Sequence, residues 1–486
     1  MLIRNARVWP SRTRQAASNG LEAVPVTDVR ITGGRVAECA PGLRAAPGEE
    51  DIDADGCALL PGMHDHHIHL RALAAAQASV PVGPPQVRNA EDLRTALRAA
   101  DAASPKDAWL RCVGYHESVA GLLDRWTLDR LLPHRPVRVQ HRTGSLWMVN
   151  SLAAARLGLD GCDAAGVERD SDGEPVGRLW RMDRWLADRV PGAPPDLAGV
   201  SARAAALGVT GFTEATPDAT QRDIVALAQA LADGTLVQRV HCMAPFDVPA
   251  PCQGVEQKFS LGPVKILLDD DSLPPLAELA DHMRQAHAAG RPVAVHCVTR
   301  VQLFLTLAAL EAAGRLPGDR IEHGAVIPSG AITDLRGITV VTQPHFVAER
   351  GEQYATEVPA EELPDLWRLR TLVDGGVAVA AGSDAPFGGA DPWHIMRTAI
   401  WRPQNLAPGE ALAPPQALRL FLGGAGAPAT PRLITPGRAA DLILLRCPLE
   451  EAVSSFSSDV VAATFVGGEL VYSREHGSSN ARADHF

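Results

Sequence analysis

The stretch ALLPGMHDHHIHL, residues 58–70, places two overlapping pairs of histidines at the end of an apolar run. Side chains two residues apart face the same side of a β-strand, so His67 and His69 can point at one metal ion. His64 and His66 have the same spacing in the opposite register, and spacing alone does not choose between the pairs. Because imidazole is a good ligand for zinc and similar ions, the segment predicts a metal site at the end of a strand.

Outward from this segment, the middle of the chain alternates apolar strand-like runs with Ala- and Leu-rich helical stretches. This alternation is typical of a parallel α/β barrel. The strand candidates are ALLPGM from residue 58, GVTGFTEA from 208, LVQRVHCMA from 236, PVKILLD from 263, PVAVHC from 292, DRIEHG from 319, ITVVTQP from 338 and VAVAAGSD from 377. These eight candidates match the number that closes such a barrel, so we expect a (β/α)8 TIM barrel.

The two ends of the chain are rich in short strand candidates separated by Gly, Asn and Asp turn signals. We expect residues 1–57 and 430–475 to form one small composite β-sandwich domain, and residues 58–429 to form the barrel domain. A long insertion after the first barrel strand, about 80–200, is a candidate lid, because βα connections build the catalytic face of a barrel. Residues 476–486 are expected to be a flexible tail.

The bulk composition is that of an ordinary soluble enzyme. The 486 residues carry a net charge of -11, which argues against nucleic acid as a partner, because phosphate binding needs a basic surface. No two of the eight cysteines form a CxxC pair, which excludes a zinc ribbon and favours a reducing compartment. No signal-peptide core and no apolar run of about 18 residues is present, so we expect a cytoplasmic protein without a membrane partner. A homodimer stays open.

Five further residues of the kinds that bind metals fall at the carboxyl ends of strand candidates. They are Glu214, Lys265, His296, His323 and Asp384. In a parallel barrel the carboxyl ends of all strands meet at one face, where the active site lies. Five such residues on five strands therefore predict a catalytic centre at this face.

Taken together, these motifs resemble the amidohydrolase superfamily, and within it the branch of YtcJ-like and N-substituted formamide deformylase-like proteins (amidohydrolase family 3). The resemblance rests on PGMHDHHIH at 61–69, VKILLD at 264–269, VAVH ending at His296, RIEH ending at His323, GSDAP containing Asp384, and GRAADLILL at 437–445. It covers nearly the whole chain, including both strand-rich ends.

This resemblance implies two divalent metal ions, which we expect to be zinc. The implied ligands are His67, His69, Lys265, His296, His323 and Asp384. Lys265 would act as a carboxylated lysine that bridges the ions, since a bare ammonium has no lone pair for a metal. Asp384 would also be the general base and then the general acid. The expected reaction is hydrolysis of a small molecule at a non-peptide carbon–nitrogen bond, in an amide, N-acyl or N-formyl amine.

Several other residues are weaker candidates, each with a structural alternative. Glu214 is either a ligand of a one-metal centre or a polar support for the ligands. Tyr115, His116 and Glu117 in the insertion either line the substrate pocket or form an ordinary surface turn. His345 is a candidate substrate contact, and Arg402 either orients an anionic group or is a helix-surface charge. The other histidines, His141, His241, His282 and His287, are interpreted as structural.

Two alternative functions remain at this point. The same metal site would serve for a cyclic amide, a carbamate, a lactone or the deamination of an aminated heterocycle, because fold alone does not choose the bond. The second alternative is a metal-binding protein without catalysis. Asp384, the expected proton carrier, argues against it.

Overall fold

The described part of the chain divides into two units. The structure is a computed structural model, and it describes residues 1–9, 25–192, 194–250, 254–403 and 406–474. The main unit comprises Met1–Leu70 and Leu197–Phe486, and the inserted unit comprises Arg71–Asp196. The predicted flexible tail, residues 476–486, lies outside the described residues.

The main unit contains the parallel strands that carry the predicted ligands. We label them β1 (Met63–Ile68), β2 (Val209–Glu214), β3 (Arg239–Cys242), β4 (Val264–Ile266), β5 (Val293–Cys297), β6 (Arg320–His323), β7 (Thr339–Thr342) and β8 (Ala378–Ala381). The first three pair in order, with a short strand, Phe259–Leu261, on the far side of β3. Strands β4 to β8 pair in order in a second parallel sheet.

Two connections link these parallel sheets. Phe259–Leu261 pairs with β3 and runs through two residues into β4, so one extended segment belongs to both sheets. At the other end, the Asp384 N–H donates to His67 O at 2.8 Å. Gly382 permits this approach, because a Cβ there would lie 2.4 Å from His67 N. These are the connections that a closed ring of eight parallel strands requires.

The first strand prediction, ALLPGM from residue 58, is wrong. Ala58–Pro61 pairs with Leu442–Leu445 and Leu2–Val8 in a different sheet, and the first parallel strand begins at Met63. Gly62 lies at the boundary, where a Cβ would come 2.2 Å from the Thr210 side chain. Both segments are fully buried, so the apolar pattern does not show where one strand ends and the next begins.

Strands from both ends of the chain form one eight-stranded sheet. Their order is Glu469–Ser473, Val461–Val466, Leu442–Leu445, Ala58–Pro61, Leu2–Val8, Val26–Thr32 and Arg35–Ala40, with Asp51–Asp53 beside Leu2–Val8. Apolar residues from both ends, among them Ile3, Val29, Leu442 and Phe465, share one buried cluster. The two ends therefore contribute strands to one sheet, and a separate composite β-sandwich domain stays a prediction.

Helices follow most of the parallel strands. In the main unit they are Ala198–Ala206, Gln221–Ala232, Leu276–Ala288, Arg300–Ala313, Phe346–Glu349, Gly351–Glu357, Arg370–Asp374, Pro392–Ile400, Pro414–Arg419 and Leu449–Ser455, and helix Leu70–Gln77 begins at the end of this unit. Two short strands, Gly423–Gly424 and Ala427–Pro431, pair with each other. Side-chain caps fix several starts: Thr220 and Asp223 form a capping box, and Asp391 caps the helix that begins at Pro392. Within the described residues, every helix is too short or too polar to cross a bilayer.

The inserted unit has its own sheet and its own core. Its strands are, in order across the sheet, Val167–Arg169, Pro175–Trp180, Leu146–Val149, Val137–His141, Leu110–Tyr115 and Val80–Pro81. Its helices are Ala90–Ala103, Glu117–Ala120, Arg125–Leu131, Ser151–Leu157 and Asp183–Ala187. Leu93, Cys112, Val139 and Met148 belong to its buried cluster. The unit begins and ends close to the predicted insertion, and its role as a lid stays a prediction.

Candidate metal centre

The end of β1 brings two histidines and an aspartate together. The ligand atoms of His67, His69 and Asp384 all lie within 4.8 Å of one another. The Asp384 Oδ1 atom is 3.1 Å from His69 Nε2 and 3.6 Å from His67 Nε2. His67 and His69 are two positions apart at the end of β1. Asp384 reaches them because the segment that follows β8 is hydrogen-bonded to β1. This arrangement has the composition of a site for a divalent cation.

The ring of His67 is oriented with one nitrogen towards this cluster. Its Nδ1 atom is hydrogen-bonded to Glu322, a fully buried carboxylate on β6. Its Nε2 atom is buried and has no hydrogen-bond partner within the described residues. The Nε2 lone pair lies near the Asp384 carboxylate and accepts no hydrogen bond from the described residues. This environment fits a metal ion, which would bind both the nitrogen and the carboxylate.

Two more predicted ligands, His296 and His323, adjoin the same cluster. The rings of His67 and His323 have centroids 4.8 Å apart, and those of His296 and His323 are 4.6 Å apart. His323 Nδ1 lies 2.8 Å from Gln343 Oε1, so its Nδ1–H is the donor and its Nε2 is left for a ligand. The four histidines thus follow one another around the ends of β1, β5 and β6.

Lys265 on β4 is electrostatically part of this centre. It is partly buried, and its ammonium interacts with the carboxylates of Glu322 and Asp384. Burial lowers the pKa of Lys265, while these two carboxylates oppose the shift. The backbone of Lys265 is paired with Ala294 in the sheet, and this pairing fixes where its side chain starts.

Asp384 is ionised and held in an uncommon backbone conformation. Burial by itself would raise its pKa, but the hydrogen bond from His69 and the neighbouring His323 and His67 keep that pKa below the ordinary range. Asp384 has a φ of 53° and His323 a φ of 70°, both in the left-handed region. Non-glycine residues adopt that region rarely, and such strain concentrates at functional sites.

Glu214 at the end of β2 is engaged in local hydrogen bonds. Its Oε2 accepts from Leu70 N–H at 2.7 Å, and its Oε1 accepts from Thr216 N–H at 2.9 Å. The Thr216 hydroxyl, which also donates to Glu214, lies 3.3 Å from His69 Nδ1. These contacts link Glu214 to His69 through Thr216, and the supporting role of Glu214 stays a prediction.

The alternative histidine pair, His64 and His66, has a different environment. His64 Nε2 lies 2.8 Å from Thr213 Oγ1. The rings of His64 and His66 pack against each other with their centroids 4.7 Å apart. The His66 side chain is fully buried, and neither ring nitrogen has a hydrogen-bond partner within the described residues. Among the residues that the structure describes, a carboxylate joins His67 and His69 in a group of converging ligand atoms but does not join this pair, so the geometry favours the His67 and His69 register.

His345 and Arg402, both predicted as candidate substrate contacts, are buried. His345 Nε2 lies 3.1 Å from Ser383 O, next to Asp384, and burial lowers the pKa of this histidine to about 3. Arg402 donates to Trp367 O at 3.0 Å, and burial lowers its pKa to about 10. Arg402 is therefore not the helix-surface charge of the structural alternative. His345 supports the loop that carries Asp384.

The predicted group Tyr115, His116 and Glu117 lies in the inserted unit. Tyr115 is fully buried and its hydroxyl donates to Gly121 O at 2.6 Å, a structural role. His116 and Glu117 are close to His141, a histidine interpreted as structural from the sequence. These three side chains form a second cluster of metal-ligating groups.

Sequence reasoning missed the residues that orient the ligands. Glu322 binds His67, Arg320 donates to Glu322 at 3.0 Å, and Gln343 binds His323. Asp65 accepts backbone N–H groups from His67 and Ser383, and burial raises its pKa to about 6. The sequence feature that indicates such residues is the pair of charged side chains, Arg320 and Glu322, in a buried strand. Charged side chains are fully buried almost only when they are paired.

The chain is similar to several known proteins over most of its length. A model of the amidohydrolase family matches residues 50–472. N-substituted formamide deformylase of Arthrobacter pascens is 25% identical over 542 aligned positions, covering 98% of each chain. The YtcJ protein of Bacillus subtilis (strain 168) is 24% identical over 428 positions, covering 78% of this chain and 80% of the relative.

Among solved structures, the fold is similar to that of an uncharacterized metal-dependent hydrolase from Pyrococcus horikoshii OT3. The TM-score is 0.71 at 17% identity, over 91% of this chain and 96% of the other. Both sequence relatives represent the branch that the motifs predict. With the family match spanning most of its length, the chain belongs to the amidohydrolase family.

Proposed function

We propose that the protein is a metal-dependent hydrolase that cleaves a carbon–nitrogen bond other than a peptide bond, in a linear N-acyl or N-formyl amine. One observation carries the proposal: the ligand atoms of His67, His69 and Asp384 converge within 4.8 Å. Family membership supports the hydrolytic chemistry, and the similarity to N-substituted formamide deformylase supports the type of bond.

The proposed framework is a closed TIM barrel made of β1 to β8. Its support is the pairing order within the two parallel sheets and the two connections between them. In a closed barrel the carboxyl ends of all eight strands meet at one face. His67, Lys265, His296, His323 and Asp384 all lie on strands or at strand ends of this framework, which explains how distant parts of the sequence reach one centre.

The donor set fits two divalent ions, for which we propose zinc. His67, His69 and Asp384 would hold one ion, and His296 and His323 would hold the other. Lys265, carboxylated by carbon dioxide, would supply oxygen atoms to both. Without this modification the set contains four imidazoles and one carboxylate, which is little negative charge for two dications. Bound metal would supply acidity to a water molecule and polarise the substrate carbonyl.

Residues of the chain transfer the proton and orient the histidine ligands. Asp384 accepts the proton of the attacking water and passes it to the leaving nitrogen, because an amine leaves poorly without a proton. With the ion bound, His69 Nε2 and Asp384 Oδ1, which lie 3.1 Å apart, would both be its ligands. Glu322 and Gln343 keep His67 and His323 in fixed orientations. Substrate binding is therefore left to residues other than those that transfer the proton or orient the ligands.

Turnover on a chemical panel tests the proposal. The zinc-loaded protein, its chelator-treated form and the reloaded form are assayed on N-formyl amines, N-acyl amines, cyclic amides, carbamates, lactones and aminated heterocycles. We expect metal-dependent release of the amine from the first two classes. Turnover only in the other classes would refute the linear-amide assignment. Bound metal without turnover on any class would favour a non-catalytic protein.

A further inference from the structure

The inserted unit brings three metal-ligating side chains to the ends of two neighbouring parallel strands. His116 directly follows strand Leu110–Tyr115, and His141 is the last residue of strand Val137–His141. The strand register pairs Tyr115 with His141, so the two histidines lie side by side. The carboxyl ends of adjacent parallel strands are where α/β sheets bind ligands.

The distances within this cluster match those between the ligands of one metal ion. The ligand atoms of His116, Glu117 and His141 lie within 4.8 Å of one another. Glu117 Oε2 is 2.9 Å from His141 Nε2 and 3.7 Å from His116 Nε2. Two atoms that bind one zinc in tetrahedral geometry are about 3.3 Å apart. The observed distances lie on either side of that value, so side-chain rotation alone adjusts them.

In both imidazoles, Nδ1, the nitrogen away from Glu117, lies beside a hydroxyl group. His116 Nδ1 lies 2.8 Å from Ser118 Oγ, and His141 Nδ1 lies 2.8 Å from Thr143 Oγ1. The hydroxyl residue follows its histidine by two positions in both cases. Histidines that bind metals usually donate their other ring N–H to an oxygen, which leaves the lone pair on the metal side.

The same nitrogens are also reached by backbone N–H groups, from Ser118 at 3.2 Å and from Thr143 at 3.3 Å. When these N–H groups are the donors, the imidazole protons lie on Nε2, and His141 donates to Glu117 at 2.9 Å. Metal binding requires the other tautomer, with Nδ1–H donating to the hydroxyl at 2.8 Å. The change moves one proton within each ring to Nδ1, which then donates to the neighbouring hydroxyl, while the backbone N–H groups of Ser118 and Thr143 lose this acceptor.

We propose that His116, Glu117 and His141 form a second divalent-metal site, with ligands distinct from those of the His67 and Asp384 centre. Two imidazoles and one carboxylate are a ligand set that zinc accepts. The Glu117 side chain is half exposed, at 50% of its surface, so the bound ion keeps coordination positions for water or another oxygen ligand. The site goes beyond the proposed hydrolytic centre and does not depend on it.

Zinc stoichiometry on the full chain tests the site. The parent and three variants, His116→Asn, Glu117→Gln and His141→Gln, are equilibrated with chelator-buffered zinc, and bound metal is measured by mass spectrometry. His116→Asn keeps a capping acceptor for the helix that begins at Glu117. The control is His134→Ala, a change at an exposed histidine of the same unit that pairs with Asp101. Circular dichroism confirms that each variant is folded.

We expect each of the three variants to bind about one zinc fewer than the parent, and the His134→Ala control to equal the parent. Anomalous diffraction at the zinc edge would then show a peak between the two imidazoles. A His67→Ala variant loses zinc from the other centre, which separates failure of one site from failure of the other. Equal zinc content in the parent and all three variants, or saturated crystals without this peak, would overturn the proposal.

Discussion

The Nδ1 atom of His67 and the carboxylate of Glu322 are hydrogen-bonded inside the protein, with both side chains fully buried. Arg320, two residues before Glu322 on the same strand, donates to this carboxylate at 3.0 Å and to His66 O at 2.6 Å. Burial alone would raise the pKa of Glu322, but Arg320 and His67 hold it well below the ordinary range. The carboxylate therefore stays charged and fixes the proton of His67 on Nδ1.

Glu322→Gln should weaken metal binding without removing a ligand. The variant keeps the size of the side chain but loses the charge that holds the His67 ring and raises its basicity. Loss of such a supporting carboxylate typically costs 10- to 100-fold in metal affinity. Competition with a chromophoric chelator measures this change, with Glu278→Gln on an exposed helix turn as the control. An unchanged dissociation constant would show that Glu322 only neutralises Arg320.

Asp384→Asn should abolish catalysis while leaving the fold intact. Asparagine keeps the shape and a ligand oxygen but cannot carry a proton between water and the leaving nitrogen. General acid–base catalysis contributes about 10²- to 10⁴-fold, and loss of a metal ligand adds to the effect. The value of kcat/KM on any substrate of the parent, with bound zinc measured in parallel, tests this expectation. A variant within about tenfold of the parent would exclude Asp384 as the general base.

Measurements of bound metal should distinguish the His67 and His69 pair from the His64 and His66 pair. His67→Ala and His69→Ala should each reduce bound metal, because both rings face Asp384. His66→Leu should keep the metal, because this ring lies in the other register. Replacing a buried polar side chain that has no hydrogen-bond partner by an apolar one of similar size should raise the free energy of unfolding, or leave it unchanged. Metal loss in His66→Leu but not in His67→Ala would reverse the assignment.

Tyr115→Phe should affect stability rather than substrate binding. The phenol is buried, its hydroxyl donates to Gly121 O at 2.6 Å, and burial raises its pKa to about 12. Removing the hydroxyl removes this hydrogen bond, whose net contribution to the free energy of unfolding is about 0.5–1.5 kcal/mol. Thermal or urea unfolding should show this loss, while KM stays at the parent value. A raised KM with unchanged stability would restore Tyr115 as a substrate contact.

The sequence predicted which side chains converge better than it predicted the boundaries of the elements around them. His67, His69 and Asp384 come together as the strand-end argument requires, because the carboxyl ends of parallel strands share one face. The first strand was misplaced, since Ala58–Pro61 and Met63–Ile68 are both fully buried and read as one apolar run. Only the bend at Gly62 separates them, and a single glycine does not identify a strand boundary.

Long-range side-chain pairs could not be predicted from local patterns. Glu322 and His67 are 255 positions apart, and nothing in RIEH indicates which imidazole the glutamate meets. The proximity of His141 to His116 depends on the register of two strands rather than on a spacing in the sequence. Tyr115 is adjacent to His116 in the sequence, but its side chain points into the core of the inserted unit.

Metal content and the state of Lys265, both read from one crystal structure of the zinc-loaded protein, test the central claim most directly. We expect two ions per chain at the main centre, one bound by His67, His69 and Asp384 and the other by His296 and His323. We also expect a carboxyl group on Lys265 that bridges them. An unmodified lysine beside one fully occupied ion would contradict the two-metal account.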